Sequence, residues 1–199
     1  MRESDVGRVL VASLHQAIGD ILPMRLAFYE EWLNSEGLRD GSIGIAPLTA
    51  VLSFLRQEGD AYSVITTRAG EYAADWTVDS MRPMTRSFIA KLPRVLRVRA
   101  ALRRANALVR TSYVASHASW RFRQGTAMVR VHASVFCSVR ERVSEPLCRF
   151  YAAAYERMLT RFDINTSVVV ESCRGSGAEA CILAVRLSNA APAEQAEAA

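Results

Sequence analysis

The sequence predicts an α+β fold in which a helical N-terminal half packs on a four-stranded antiparallel sheet. Apolar residues recur at helical spacing in the first half of the chain, whereas alternating or β-branched segments dominate from Trp120 onwards. No long linker separates the two halves, and each has an apolar face that only the other can cover. We therefore expect one domain over residues 1–188, followed by a disordered tail at 189–199.

The helical half divides at proline and glycine residues. Apolar spacing predicts a helix over 6–18, and Pro23 then starts a second one that ends at Gly37. Pro47 opens a third helix, which stops at Gly59. Residues 61–79 are mostly helical, and 84–114 form a helix broken at Pro93. After that break, one stripe follows the spacing of a buried helix face: Val95, Val98, Leu102, Ala105 and Val109.

The second half predicts two hairpins around one helix. Apolar and polar residues alternate on both sides of Gln124-Gly125, which indicates a hairpin that extends to Phe136. Ser144-Glu145-Pro146 has the N-cap, acidic and proline residues of a helix start. Residues 166–172 and 180–187 predict two further strands joined by a glycine-rich loop. Because this loop joins two strands, it does not predict a nucleotide phosphate site.

Composition and charge narrow the class of protein. The chain has 199 residues, 50% of them hydrophobic, and lacks an apolar run long enough for a membrane span. The N-terminus does not resemble a signal peptide, so we expect a cytoplasmic protein with free thiols or metal-bound cysteines. Neither a membrane span nor a nucleic-acid partner is predicted.

The net charge of +5 is unevenly distributed. Residues 81–162 carry 17 basic and 3 acidic side chains. This pattern fits arginines on solvated helix faces, and it also fits a surface that binds an anionic ligand or partner. We take Arg97, Arg103 and Arg104, opposite the apolar stripe, as candidate binding residues.

Three of the four cysteines are predicted to meet at one corner. Cys148 lies at the start of a helix, Cys173 ends a strand and Cys181 begins the next. Strand alternation places Glu171 on the same face as Cys173. Three thiolates and a carboxylate suit tetrahedral Zn²⁺, whereas the alternative is that these cysteines are small buried apolar residues. Cys137 is predicted to belong to the core.

Aromatic residues recur in the helical half, where Trp32 and Trp76 are candidates for an apolar ligand pocket between helices and sheet. Most of the aromatic side chains are expected to form the core. His15, His117 and His132 are scattered, and no Ser/His/Asp order indicates a catalytic triad. The sequence therefore predicts a binding protein more readily than an enzyme.

Three segments together resemble the 4-vinyl reductase domain family, including its bacteriochlorophyll branch. They are SEPLCRFYAAAYERML (144–159), TSVVVESCRGSGAEACILAV (166–185) and TTRAGEYAADW (66–76). The resemblance implies a TRAPP-like ligand-binding fold, a homodimer formed through helices, and metal ligation by Cys148, Cys173 and Cys181. The family's glutamate lies three positions before the middle cysteine, where this chain has Val170, so Glu171 departs from the pattern.

The resemblance implies an accessory protein that binds a tetrapyrrole, such as a chlorophyll precursor, and works with pigment-biosynthesis enzymes. No dinucleotide motif is present, so a 4-vinyl reductase acting on a chlorophyllide-type substrate is a second alternative. The first alternative is a sensing or scaffolding module that binds another apolar ligand or a partner protein. Expected cofactors are a structural zinc ion and a bound tetrapyrrole.

Overall fold

The structure is a computed structural model and describes residues 6–33, 44–139 and 141–188. Within these ranges the chain forms seven α-helices and a four-stranded antiparallel sheet, so the predicted α+β class is confirmed. The predicted end of the second helix at Gly37 and the predicted tail at 189–199 lie outside the described residues. None of the described helices has the length and apolar character needed to cross a bilayer.

Six helices precede the sheet: α1 (Arg8–Ile21), α2 (Leu26–Leu33), α3 (Ile45–Gln57), α4 (Asp60–Asp79), α5 (Pro83–Ala90) and α6 (Arg94–Ser112). Glycine and proline mark most of their limits as predicted, but α3 begins at Ile45, two residues before Pro47, and Pro23 starts a 3₁₀ turn that precedes α2. Gly59, between α3 and α4, has φ of +62°, a conformation that favours glycine. Pro93 is the N-cap residue of α6 and separates it from α5.

The sheet contains β1 (His117–Arg123), β2 (Thr126–His132), β3 (Thr166–Ser172) and β4 (Cys181–Leu187) in the order β1-β2-β4-β3. All neighbouring strands are antiparallel. Gln124 and Gly125 both have positive φ at the turn between β1 and β2, as a two-residue hairpin requires. The last helix, α7 (Arg149–Thr160), connects β2 to β3.

The helix pair α4 and α7 forms the centre of the core. Gly70 allows the two backbones to approach closely, since a Cβ at this position would lie only 2.2 Å from the Phe150 carbonyl oxygen. Large aromatic side chains on α7, including Phe150, Tyr151 and Tyr155, are fully buried around this contact. One face of the sheet packs against this helical layer.

The apolar stripe of α6 is buried inside the chain. Val98, Leu102, Ala105 and Val109 are buried, whereas Val95 is 64% exposed. Apart from Val95, the stripe is therefore covered within a single chain and does not require a second copy through this face.

Two local predictions were wrong, and both concern the approach to α7. Val135–Cys137 forms a 3₁₀ turn, although alternation predicted a strand up to Phe136. The helix predicted to start at Ser144 begins at Arg149, with Cys148 as its N-cap residue. The Leu147 N–H donates to the Cys173 sulfur, so the segment before α7 is held by the cysteines.

Candidate metal centre

Four cysteines from separate elements meet beneath the sheet. Cys137 ends the 3₁₀ turn after β2, and Cys148 precedes the first residue of α7. Cys173 directly follows β3, and Cys181 is the first residue of β4. All four are free thiols, and all but Cys137 are fully buried. Tertiary structure therefore adds Cys137 to the three cysteines proposed from the sequence.

The sulfur atoms are close enough together to surround one tetrahedral metal ion. The Cys137 sulfur lies 3.1 Å from that of Cys148 and 3.3 Å from that of Cys173. It lies 3.5 Å from the Cys181 sulfur, and all four sulfur atoms lie within 4.8 Å of one another. Four sulfurs bound tetrahedrally at about 2.3 Å from Zn²⁺ would be separated by about 3.8 Å. The three sulfur separations from Cys137 are somewhat shorter than this value, and the number of thiols is the one that a closed tetrahedral site requires.

Backbone N–H groups face two of the sulfur atoms. The N–H of Leu147 donates to Cys173 at 3.3 Å, and that of Arg174 donates to Cys181 at 3.4 Å. Such bonds stabilise a thiolate more than a thiol. Gly175 makes this approach possible, because a Cβ there would lie 2.7 Å from a Leu147 side-chain carbon.

The thiols strongly influence one another's ionisation. Donation by the other three thiols, led by Cys137, lowers the pKa of Cys173, and the Leu147 N–H adds to this effect. Hydrogen bonding to Cys137 raises the pKa of both Cys148 and Cys181, and burial raises it further. Hydrogen bonding to Cys148 lowers the pKa of Cys137. The cluster therefore favours ionisation of Cys173 and Cys137 over ionisation of Cys148 and Cys181. A divalent cation would allow more of them to ionise, because it supplies the missing positive charge.

Glu171 lies outside the cluster, which corrects its placement from strand alternation. Its side chain is exposed, and it is not among the four residues whose ligand atoms converge. The pairing of β3 with β4 shifts register between Val170 and Ser172. This irregularity breaks the two-residue alternation that placed Glu171 on the same face as Cys173.

The predicted ligand-binding residues do not come together. Arg103 and Arg104 are exposed on α6, and Arg97 is half-buried and donates to the Ala90 carbonyl. Trp32 packs against Phe54 of α3, whereas Trp76 stacks on its own helix neighbour Tyr72. A groove of about 550 Å³ runs between α4, α7 and β3, and none of these five predicted residues lines it.

The three histidines all lie near the surface. His15 of α1 contacts Glu30 of α2 at 2.8 Å. His117 and His132 face each other across β1 and β2, with ring centroids 4.4 Å apart and nearly parallel planes. Burial lowers the pKa of His132, and the adjacent His117 and Arg130 lower it further. None of the three is buried in the core of the described chain.

Comparison with known proteins identifies the fold. No protein-family model and no curated protein sequence matches this chain. The NMR structure of an H-NOX domain from Shewanella oneidensis in the Fe(II)CO ligation state aligns with a TM-score of 0.57 and 12% identity, covering 93% of this chain and 99% of that domain. A crystal structure of an H-NOX protein from the same organism, in the Fe(II)NO state, aligns with a TM-score of 0.53 and 14% identity, covering 92% and 99%.

These alignments overturn the resemblance to the 4-vinyl reductase family. The chain has an α+β fold like that of H-NOX domains over nearly its whole length, and nothing supports a reductase or a TRAPP-like relative. The quoted segments misled because they are short, and short motif matches carry a risk of false positives. The accessory role in pigment biosynthesis and the chlorophyll-type ligand, which were inferred from that resemblance, are therefore unsupported.

Proposed function

We propose that this chain is a non-catalytic sensing or scaffolding module whose C-terminal half is held together by one structural Zn²⁺. The convergence of four thiols on one point, within 4.8 Å of one another, is the observation that supports this proposal. Cys137, Cys148, Cys173 and Cys181 would be the ligands. The ion would join the end of the first hairpin, the start of α7 and both strands of the second hairpin.

The donor set favours zinc in a structural role. Four thiolates complete a tetrahedron, so no ligand position remains open to activate water or polarise a substrate. Buried Cys148, Cys173 and Cys181 also leave little access for a reacting molecule. The module would therefore act through binding, and the metal would stabilise the part of the fold that presents the binding surface.

Metal analysis of untagged protein tests this proposal. We expect about one zinc per chain, and Co²⁺ substitution should give the intense absorption of tetrahedral thiolate coordination. Cys137→Ser should lose this spectrum as completely as Cys173→Ser. Purified protein with four free thiols and no stoichiometric metal, also after incubation with Zn²⁺, would contradict the proposal.

A haem-type tetrapyrrole is the second candidate ligand, and the fold is what favours it. The H-NOX structures described above are of haem-binding domains in Fe(II) states. The residues of this chain do not fit a histidine-ligated haem, because His15, His117 and His132 all lie near the surface. Titration with haem tests this candidate. If a Soret band appears and neither His117→Ala nor His132→Ala changes it, then another residue must ligate the iron.

A homodimer remains part of the proposal, on a different surface from the one predicted. Large apolar side chains are exposed on α5 and the start of α6: Met84, Phe88, Val95 and Leu96. A second copy could cover them. Sedimentation at tens of micromolar should show a dimer that Phe88→Glu dissociates, and a monomeric wild type would remove this part of the proposal.

A further inference from the structure

The outer face of the sheet is a separate surface from the metal centre. Along each strand, alternate residues point into the helical layer and away from it. Val129 of β2 and its partner Leu183 of β4 are buried on the inner side. The residues that precede and follow each of them along its strand point outward. The strand registers place these outward-facing residues in rows across the sheet.

Four arginines lie on this outer face. Arg123 pairs with Thr126, which in turn pairs with Arg186, so the two arginines are two strands apart. Arg121 lies one row further along β1, and Arg130 follows diagonally on β2. Neighbouring strands are about 4.8 Å apart, so Arg123 and Arg186 are separated by about 10 Å at the backbone.

All four arginines are exposed, and none of them forms an ion pair with the described acidic residues. The contrast with the helical layer is clear, since Arg157 and Arg161 both bind Asp75 there. Like charges on adjacent rows of a sheet repel one another. Exposed guanidinium groups without an ion-pair partner among the described residues are available to bind an external anion.

The centre of this face is apolar. Met128 of β2 and Ile182 of β4 are half-buried, and Val169 of β3 is 44% exposed. Ala184 lies between Met128 and Val169 in the same row and is fully buried, so the accessible apolar surface comes from its neighbours. The face therefore combines a shallow apolar strip with guanidinium groups along its sides.

From this combination we infer that the outer face of the sheet binds an acidic polypeptide segment, in which carboxylates flank apolar residues. Guanidinium groups pair with carboxylates through two parallel hydrogen bonds. Glutamates seven positions apart on a helix are separated by about 10.5 Å, which matches the spacing of Arg123 and Arg186. The inference deepens the proposed scaffolding function and rests on it.

Other anionic partners fit this face less well. Proteins that bind single-stranded nucleic acid on a sheet stack bases on exposed aromatic rings. Here Trp120 and Phe122 pair with the inward-facing Val129 and Ala127, so these two rings belong to the opposite face. The imidazoles of His117 and His132 lie at one end of the outer face and stack on each other, which leaves less ring surface for a base. Insertion into a lipid surface needs large protruding apolar groups, and among the described residues of this outer face Val169 is the only large apolar one that is strongly exposed.

The test uses the full chain loaded with zinc and a labelled synthetic helix that repeats glutamates at this seven-residue spacing around leucines. The sheet variant is R121Q/R123Q/R130Q/R186Q. Its matched control, R99Q/R103Q/R104Q/R110Q, removes the same charge from exposed positions of α6. Fluorescence anisotropy should show at least a tenfold loss of affinity in the sheet variant and less than a threefold loss in the control. A peptide with glutamine for glutamate should not bind.

Three outcomes would overturn the inference. Equal losses in the two variants would mean that net charge alone attracts the peptide, and a larger loss in the control would move the surface to α6. Tighter binding of a thymidine 20-mer or of phosphatidylglycerol vesicles through the same sheet arginines would assign a different partner. Zinc content is measured for every protein. Absence of peptide binding in protein that contains zinc would therefore contradict this inference alone, whereas absence of zinc would contradict the proposed metal centre.

Discussion

The two faces of the sheet are built from the same strands and serve different purposes. The inner face carries Cys181, Val129 and Leu183, all fully buried against helices and next to the other thiols. The outer face carries arginines such as Arg130 and Arg186, which are exposed and unpaired in the described chain. Because side chains alternate with a period of two, stability and recognition are placed on neighbouring residues without interfering. The predictions below test this separation.

Loss of the metal should have the largest effect. Chelation or Cys173→Ser removes the link between both hairpins and α7, and we expect a loss of about 4 kcal/mol and a Tm lower by about 10 °C. Differential scanning calorimetry measures both. Ser112→Ala, which removes a buried hydroxyl that donates to the Leu108 carbonyl, is the control and should cost about 1 kcal/mol. Equal effects of the two substitutions would show that Cys173 only fills space.

Gly70→Ala should have the next largest effect, because it acts on the helical layer that supports the inner face. A Cβ at Gly70 would lie 2.2 Å from the Phe150 carbonyl oxygen, so α4 and α7 must separate, at a cost of about 3 kcal/mol. Gly19→Ala in α1 is the matched control. Its nearest neighbour would be a Leu26 carbon at 3.5 Å, so it should stabilise the helix by about 0.5–1 kcal/mol. Urea denaturation should give changes of opposite sign.

Asp75 should contribute a smaller, pH-dependent amount. Burial alone would raise the pKa of this carboxyl, but hydrogen bonds from Arg157 and Arg161 outweigh it and lower the pKa below its usual value of 3.8. Its contribution is therefore complete above about pH 4 and is lost as the pH falls through the lowered folded pKa. Asp75→Asn should cost about 1 kcal/mol at pH 7, since the ion pairs are partly exposed.

Denaturation of the Asp75→Asn variant across pH checks this sign. The difference from wild type should shrink as the pH falls below about 4, where the wild-type carboxyl takes up a proton. Glu71→Gln, which breaks an exposed pair with Arg68 on the same helix, should change stability by less than about 0.5 kcal/mol at any pH. If Asp75→Asn lowers the free energy of unfolding by the same amount in acid as at pH 7, the cause would be that the amide disturbs packing.

The smallest effect on folding is expected on the outer face. R121Q/R123Q/R130Q/R186Q should change the free energy of unfolding by less than about 0.5 kcal/mol, because these side chains make no ion pair with the acidic residues that the structure describes. Zinc content should also remain unchanged. A loss of several kcal/mol would show that these arginines support the fold, and the division between the two faces would then be wrong.

Several features of the fold could be predicted from local sequence. The limits of α6 after Pro93 and the hairpin at Gln124-Gly125 follow from backbone restrictions that act within a few residues. The inner and outer rows of β2 also follow from alternation, as buried Val129 and exposed Arg130 illustrate. The structural relatives of the chain could not be predicted in the same way, because the resemblance drawn from three segments led to the wrong family.

The sequence by itself determined the α+β class and the approximate limits of its helices and strands, and it indicated that Cys148, Cys173 and Cys181 meet at one corner. Only the tertiary structure decided the rest of that site. A 3₁₀ turn brings Cys137 into the cluster, and a register shift after Val170 turns Glu171 away from it. The physical reason is that residue spacing fixes which side of an element a side chain takes only while the element stays regular. Turns and bulges are set by contacts with distant parts of the chain, and here those contacts lie around the sulfur atoms themselves.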